Sequence, residues 1–506
     1  MVVTQRAYEK DETEKRQKTS LTIEMKDLGP IAGGKITMRP LTLFVGPNNS
    51  GKSYAAMLIH SLFELHAPHA LITRGEHSTP EYFRFFFSEY FDIPSLDEEL
   101  SELKQRIDTM KKGEELEIPT ENLIKKISKE MYEKGLSNVI FRSYACPLKE
   151  LIRVGKKSFS LKISYNSHSI HLEYDRNKLK IKKYSQPYNK IRIRIAEMPT
   201  NRFEIEGKEN ETLIEIDSKL KEENKKIIFS ELKDIIKASC VINILENFVI
   251  PCYYLPASRA GILQSYKALA AAVVKKAPFV GMEKPEIPKF SGVIADFISQ
   301  ILTLTEWEGP FYELAQECER ELIKGKIVIK KSDYRLPEIH YRFQETEIPL
   351  HRTSSTVSEL APLFLYLKYV AKPRSVLVIE EPEAHLHPEN QRILAKFLVK
   401  LIRKGVNIII TTHSDYLIEQ LSSFILLSQV SPEKRVSKYG YTEEDFLNPD
   451  EVAAYVFNHD KQSDGYKISE IEITEEDGIS QKEHMRIIEA LYEETLKLRK
   501  DVTSET

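Results

Sequence analysis

Gly46-Pro47-Asn48-Asn49-Ser50-Gly51-Lys52-Ser53 matches the phosphate-loop pattern G-x-x-x-x-G-K-S in full. The apolar residues Leu41, Leu43, Phe44 and Val45 stand just before it, and a helix-compatible run from Tyr54 to Leu65 follows. Strand, loop and helix are thus in the order a phosphate loop requires. Gly46 and Gly51 let the backbone curl, so that successive N–H groups and the positive end of the next helix face one anion. Pro47, Asn48, Asn49 and Ser50 complete the cradle, Lys52 is placed for the outer phosphates, and Ser53 for Mg2+. The implied ligand is a nucleoside triphosphate.

Two later stretches supply the rest of such a site. Ser375-Val376-Leu377-Val378-Ile379-Glu380-Glu381-Pro382 is a buried-strand pattern ending in adjacent carboxylates. Glu380 would reach Mg2+ directly or through water, and Glu381 would polarise the attacking water. After one helix, Val406-Asn407-Ile408-Ile409-Ile410-Thr411-Thr412-His413-Ser414 reads as a second buried parallel strand, ending in a histidine able to sense the γ-phosphate. Singly, an acidic strand end and a lone histidine are ordinary. Their order and spacing are those of an ABC-type core, with its ligand at the carboxyl ends of parallel strands.

G-P-N-N-S-G-K-S, E-E-P-E-A-H-L-H-P-E-N-Q (Glu380 to Gln391) and T-T-H-S (Thr411 to Ser414) together resemble the predicted ATPases related to the overcoming-lysogenization-defect (OLD) proteins, within the ABC-type class that includes SMC and RecF. The likeness covers roughly residues 20–65 and 250–430. In that class two subunits sandwich ATP, with the phosphate loop of one facing a signature helix start of the other. The resemblance places that start at Thr353 to Glu359 and makes Ser354 and Ser355 the ligands in trans. Leu360, Leu363, Phe364 and Leu367 then continue at helical spacing. Thr356 stands where the family has Gly, which admits a closer backbone approach than a β-branched residue. Arg259, at the end of Tyr253-Tyr254-Leu255-Pro256-Ala257-Ser258-Arg259, closes a strand expected beside the phosphate-loop strand, and the resemblance turns that end toward the nucleotide; a surface arginine after a turn fits the residues equally.

With 506 residues, 41% hydrophobic and 29% charged, the chain is long enough for two or more cores, and a net charge of −3 gives no global attraction to nucleic acid. Cys146, Cys240, Cys252 and Cys318 show neither C-x-x-C pairing nor zinc spacing, as expected of reduced thiols. Met1 to Ser20 lacks the apolar segment of a signal peptide, and no run reaches the roughly 18 apolar residues of a membrane span. A cytoplasmic protein without a membrane partner is expected.

The expected fold class is α/β: an ABC-type P-loop ATPase core with a large mixed α+β insertion between its phosphate-loop and signature halves. The boundaries read as a disordered tail 1–20, a core formed by 21–65 and 250–430, an insertion 66–249 and an acidic α/β extension 431–506. Leu21 to Val45 reads as an antiparallel entry sheet. In the insertion, a capping box at Ser95 and Glu98 opens a helix through Leu96, Leu100, Leu103, Ile107 and Met110, and a second helix runs through Leu123, Ile127 and Met131. Residues 156–196 alternate as an antiparallel meander whose outer face carries Lys156, Lys157, Lys162, Arg176, Lys178, Lys180, Lys182, Lys183, Lys190, Arg192 and Arg194, interleaved with Tyr165, Tyr174, Tyr184 and Tyr188. Two readings of that face stand level: a nucleic-acid or acidic-partner surface, or a solvated face whose lysines discourage edge pairing. Strands are expected at Val452–Phe457 and Ile468–Ile473, before a last helix from Gln481.

OLD proteins proper carry a Toprim nuclease after the ATPase, with a strand-end Glu and a later D-x-D. Ser414 to Thr506 shows neither, so the chain is not expected to cut DNA itself. The resemblance implies a dimer or higher homo-oligomer that closes on ATP and controls a separate nuclease or other effector in prokaryotic defence. The alternative is a DNA-repair or chromosome-associated ATPase that binds nucleic acid through residues 156–196. A transporter subunit is disfavoured by the large insertion and the E-E-P-E-A-H-L-H-P run.

Overall fold

The computed structural model describes residues 21–66, 97–186, 190–197, 203–208, 211–217, 232–237, 239–241, 244, 250–265, 290–304, 307–331, 337–480 and 493–498. The expected tail 1–20, Ser95, Leu96, Tyr188 and Gln481 lie outside them. From the amino end come β1 (Leu21–Leu28), β2 (Ile31–Thr37), β3 (Leu41–Val45), α1 (Lys52–His66), α2 (Asp97–Thr109), β4 (Glu115–Ile118), α3 (Thr120–Lys129) and α4 (Leu136–Tyr144). Strands β5 (Phe159–Tyr165), β6 (His168–Asp175), β7 (Lys178–Ser185), β8 (Lys190–Ala196), β9 (Phe203–Lys208), β10 (Glu211–Asp217) and β11 (Cys252–Leu255) follow. Next are α5 (Gly292–Leu302), α6 (Tyr312–Leu322), β12 (Lys326–Lys331), β13 (Pro337–Phe343), β14 (Thr346–Pro349) and α7 (Ser355–Tyr369). The remainder is β15 (Val376–Glu380), α8 (Pro388–Arg403), β16 (Asn407–Thr412), α9 (Asp415–Leu426), α10 (Pro432–Tyr439), β17 (Val452–Asp460) and β18 (Gly465–Ile471).

Two units form. The first comprises Met1–Thr37, Met57–Cys252 and Lys289–Gly292, and the second Met38–Ala56, Tyr253–Pro288 and Val293–Thr506. In the first unit β1 pairs antiparallel with β2 on one side and β5 on the other, with Ile23 opposite Ile163 and Met25 opposite Leu161. By contacts, the strands Leu21 to Thr37 group in the first unit with β5. The matched alternation of Leu21, Ile23 and Met25 with Phe159, Leu161 and Ile163, all buried, explains the choice of partner. Between the two expected helices stands β4, so they do not make a simple hairpin; α3 runs into α4 through a π-helical turn, Glu130–Gly135.

The meander expected over 156–196 is also corrected. Only β5, β6 and β7 form it, whereas β8 joins a second sheet in the order β4-β8-β10-β9. Charge decides this. Across β4 and β8, Glu115 stands opposite Arg194 and Glu117 opposite Arg192, and across β8 and β10 Lys190 faces Glu211 and Arg194 faces Glu215. Directly opposed unlike charges favour such a register by a few tenths of a kcal/mol to about 1 kcal/mol each. On β7, Lys182 pairs with Glu173 at 2.8 Å.

The second unit carries the sheet order β11-β15-β16-β3-β17-β18. Strands β15, β16, β3 and β17 are mutually parallel, and β18 returns antiparallel. All five residues of β3 and of β15 are buried, as parallel strands covered on both faces should be. Leu43, Ile379, Ile410 and Ala454 share one core with Phe364 of α7, Leu398 of α8 and Leu421 of α9; each Leu, Ile or Phe side chain among them contributes about 1.5–3 kcal/mol on burial. Two expectations change here. β11 lies beside β15, not beside β3. The extension expected from residue 431 is not peripheral, because β17 is a parallel neighbour of β3, its Val452–Phe457 run buried throughout. Tyr455 and Phe457 meet Phe44 edge to face, with centroids 6.3 and 5.5 Å away. Among the described residues no helix is long and apolar enough to cross a membrane.

Candidate nucleotide-binding site

Parallel register brings the three motifs to one edge of the sheet. Glu380 is level with Thr411, Thr411 with Phe44, and Thr412 with Val45, so the chain leaves β15, β16 and β3 at the same carboxyl edge. That edge is where open α/β sheets bind ligands.

The loop after β3 has left-handed backbone at Gly46 (φ 139°), Asn49 (φ 61°) and Gly51 (φ 102°). At Gly46 a side chain has no room, since a Cβ would lie 2.8 Å from Phe457 O and 3.3 Å from Phe457 Cβ. Gly46→Ala is therefore expected to lower stability by roughly 1–3 kcal/mol and to weaken ATP binding as the loop is pushed off β17. Denaturant melts and nucleotide titration test this; a variant with native stability and affinity would show that the loop tolerates the shift. Pro47, Asn48, Asn49 and Ser53 are exposed, while Ser50, Gly51 and Lys52 are buried. Lys52 Nζ donates to Gly46 O at 2.9 Å and Pro47 O at 2.8 Å, folding the side chain back along its own loop. Burial lowers the Lys52 pKa to about 8, opposed by Glu381, Glu383 and Glu380.

Glu380 is 8% exposed; its Oε2 accepts from Ala257 N at 3.2 Å, while Oε1 is buried without a hydrogen-bond partner. Glu381 has a φ of 44°, a left-handed position that costs a non-glycine residue about 1–3 kcal/mol. Its N–H donates to Thr411 O at 2.8 Å. His413 Nε2 lies 3.9 Å from Glu381 Oε1, and the ring is drawn below the usual histidine range by burial and by Lys52, against the pull of Glu381 and Glu383. Sequence reasoning assigned no role to Glu383, although it stands in the quoted acidic run. Its Oε1 accepts from Thr412 Oγ1 at 2.6 Å and His413 N at 2.9 Å, fixing the turn that presents the histidine. The signal was Pro382, which turns the chain so that the next carboxylate faces back toward β16. Gln391 was missed too; its Oε1 accepts from the Ser414 hydroxyl.

Ser354 caps α7, its Oγ accepting from Val357 N at 3.4 Å, and both Ser354 and Ser355 are exposed. Thr356, in the place of the usual Gly, donates through Oγ1 to His385 O at 2.9 Å. Arg259 departs most from expectation. It is 2% exposed, and Nη1 donates to Glu380 O at 2.5 Å and Pro256 O at 3.1 Å, with Nη2 donating to Glu381 O at 3.2 Å. Its guanidinium thus holds the backbone at the strand end that carries the two carboxylates.

Fold and motifs together are those of a P-loop ATPase. The family model for an AAA ATPase domain (AAA_15) matches residues 21–418, and the chain belongs to that family. No curated protein matches the chain. Similar solved structures include an SMC head bound to the C-winged helix domain of ScpA (10% identity, covering 90% of this chain and 99% of that one, TM-score 0.39). The SMC head domain from Thermotoga maritima matches at 10% identity, 90% and 100% coverage and TM-score 0.33. An SMC head with an extended coiled coil, bound to the C-terminal domain of ScpA derived from Pyrococcus furiosus, matches at 12%, 94%, 99% and 0.37. At these scores the likeness is remote.

Proposed function

We propose that this ATPase is a switch in which two copies close on ATP, hydrolyse it slowly and release, thereby controlling a bound effector. The observation that carries the reading is the shared carboxyl edge of β3, β15 and β16, where Lys52 lies within electrostatic reach of Glu380, Glu381 and His413. The loop and Lys52 would hold the phosphates. Glu381 would take the proton of the attacking water, and His413, kept neutral by its surroundings, would donate to or accept from the γ-phosphate side. Mg2+ would be held by Ser53 and Glu380, whose buried, unpartnered Oε1 suits a cation; when bound it supplies charge neutralisation on the phosphates.

The exposed Ser354–Ser355 turn is free to face a second copy, with helix N–H groups suited to a phosphate. Ser354→Arg is expected to block ATP-dependent association by size and charge, while costing about 1 kcal/mol of stability as a lost cap. Sedimentation velocity with and without ATP is the measurement. A monomer that hydrolyses ATP at full rate would refute the two-copy site.

Control of a separate nuclease or other effector in prokaryotic defence is supported by the resemblance to OLD-like ATPases that lack their own nuclease. The DNA-associated reading keeps one supporting feature, the exposed Lys178, Lys180 and Lys183 on β7. The pairing of Arg192 and Arg194 with Glu115, Glu117, Glu211 and Glu215 weighs against it. Duplex titration at two salt concentrations separates them, since binding through phosphates must weaken steeply with salt.

A further inference from the structure

A buried guanidinium needs partners for its N–H groups and a balancing charge, and those of Arg259 come from three separate parts of the second unit. Its own turn supplies Pro256 O, and the end of β15 supplies the carbonyls of Glu380 and Glu381. The third is α7. Arg259 Nε donates to Glu359 O at 3.2 Å and lies 3.4 Å from Glu359 Oε2, a carboxylate oxygen that is 6% exposed as part of its side chain and has no hydrogen-bond partner. Glu359 is four residues after Ser355, so the two lie one above the other on the same helix face.

Glu381 is held at both of its peptide groups. Its N–H is fixed to Thr411 and its carbonyl to Arg259, which keeps a left-handed residue in place and so aims its carboxylate. A second strut, Thr356 Oγ1 to His385 O, joins the same helix start to the segment after β15, where His385 is also left-handed (φ 61°). The start of α7 and the turn after β15 are thus tied at two points, one of them ionic.

We propose that Arg259 is a positioning residue that couples the start of α7 to the Glu380–Glu381 strand end, so that engagement of Ser354 and Ser355 by a second copy is transmitted to the candidate base. Displacing α7 displaces Glu359, and with it the guanidinium that sets the Glu381 carbonyl. This rests on the two-copy reading above. Neither Arg259 nor Glu359 touches the substrate in it.

The test uses the full chain and two variants. Glu359→Gln keeps the shape and the backbone contact but removes the balancing charge; Arg259→Lys keeps the charge but cannot fork between two carbonyls. Wild-type turnover per subunit should rise with protein concentration as composite sites assemble. In both variants this rise should shrink about tenfold or more, with ATP affinity within about twofold of wild type and ATP-driven association retained, as expected when coupling rather than binding is lost. Wild-type-like concentration dependence in a folded variant overturns the inference alone. So does a parallel loss of affinity, or loss of fold in both variants, which would mark a purely structural role. A wild type whose turnover is flat with concentration overturns the two-copy reading and this inference with it.

Discussion

Lys52→Ala is expected to abolish ATP binding at ordinary concentrations. The ammonium is the positive charge at the head of α1, and its two donors to Gly46 O and Pro47 O show that it reaches across the loop. Two hydrogen bonds to a charged phosphate, at about 1.5–3 kcal/mol each, correspond to an affinity loss on the order of 10² to 10⁴. The variant should remain folded, because burial penalises the charged lysine and its removal relieves that penalty. Calorimetric titration beside a denaturant melt is decisive: affinity within a few-fold of wild type would mean that the loop binds through its backbone alone.

Glu381→Gln should separate chemistry from binding. The amide fills the same space and still accepts a hydrogen bond from water, but cannot take a proton, so turnover should fall by on the order of 10² to 10⁴ while affinity stays nearly intact. ATP should then hold the associated form longer, visible as a larger dimer or higher-oligomer fraction in sedimentation. Glu383 is poorly placed to substitute, because its Oε1 already binds Thr412 and His413 and its unpartnered Oε2 is buried. Wild-type turnover in Glu381→Gln would move the base elsewhere.

Much of this site was legible because its information is local. Eight consecutive residues define the phosphate loop, and the runs ending at Glu380 and Thr412 declare themselves as buried strands by having no polar alternation. What escaped was non-local. The resemblance turned Arg259 toward the nucleotide, and a surface arginine fitted the residues equally; apart from Pro256 its hydrogen-bond partners are about 100 or more positions away, at Glu359, Glu380 and Glu381. The K-I-R-I-R-I strand has the same alternation as the meander before it, and only the glutamates on β4 and β10 reveal its different sheet. The strand at Val452–Phe457 was placed in an acidic extension outside the core, although its uninterrupted apolar run was the signature of a strand buried on both faces.

The strand bearing the phosphate loop is made early and completed late. Its two hydrogen-bonded neighbours, β16 and β17, come from Asn407–Thr412 and Val452–Asp460. On a ribosome adding about 5–20 residues per second, the roughly 400 positions between Val45 and Val452 take on the order of 20–80 s to emerge. Until β16 emerges, Leu41-Thr42-Leu43-Phe44-Val45 has neither edge covered, and until β17 emerges one edge stays open; such a segment pairs with whatever edge is offered. ATP cannot guide the early steps of this chain's folding, since the wall behind Gly46 is Phe457. The nucleotide can only stabilise the product once nearly the whole catalytic unit has been synthesised, which makes shielding of the newborn phosphate-loop strand, rather than ligand supply, the step on which a good yield of active protein depends.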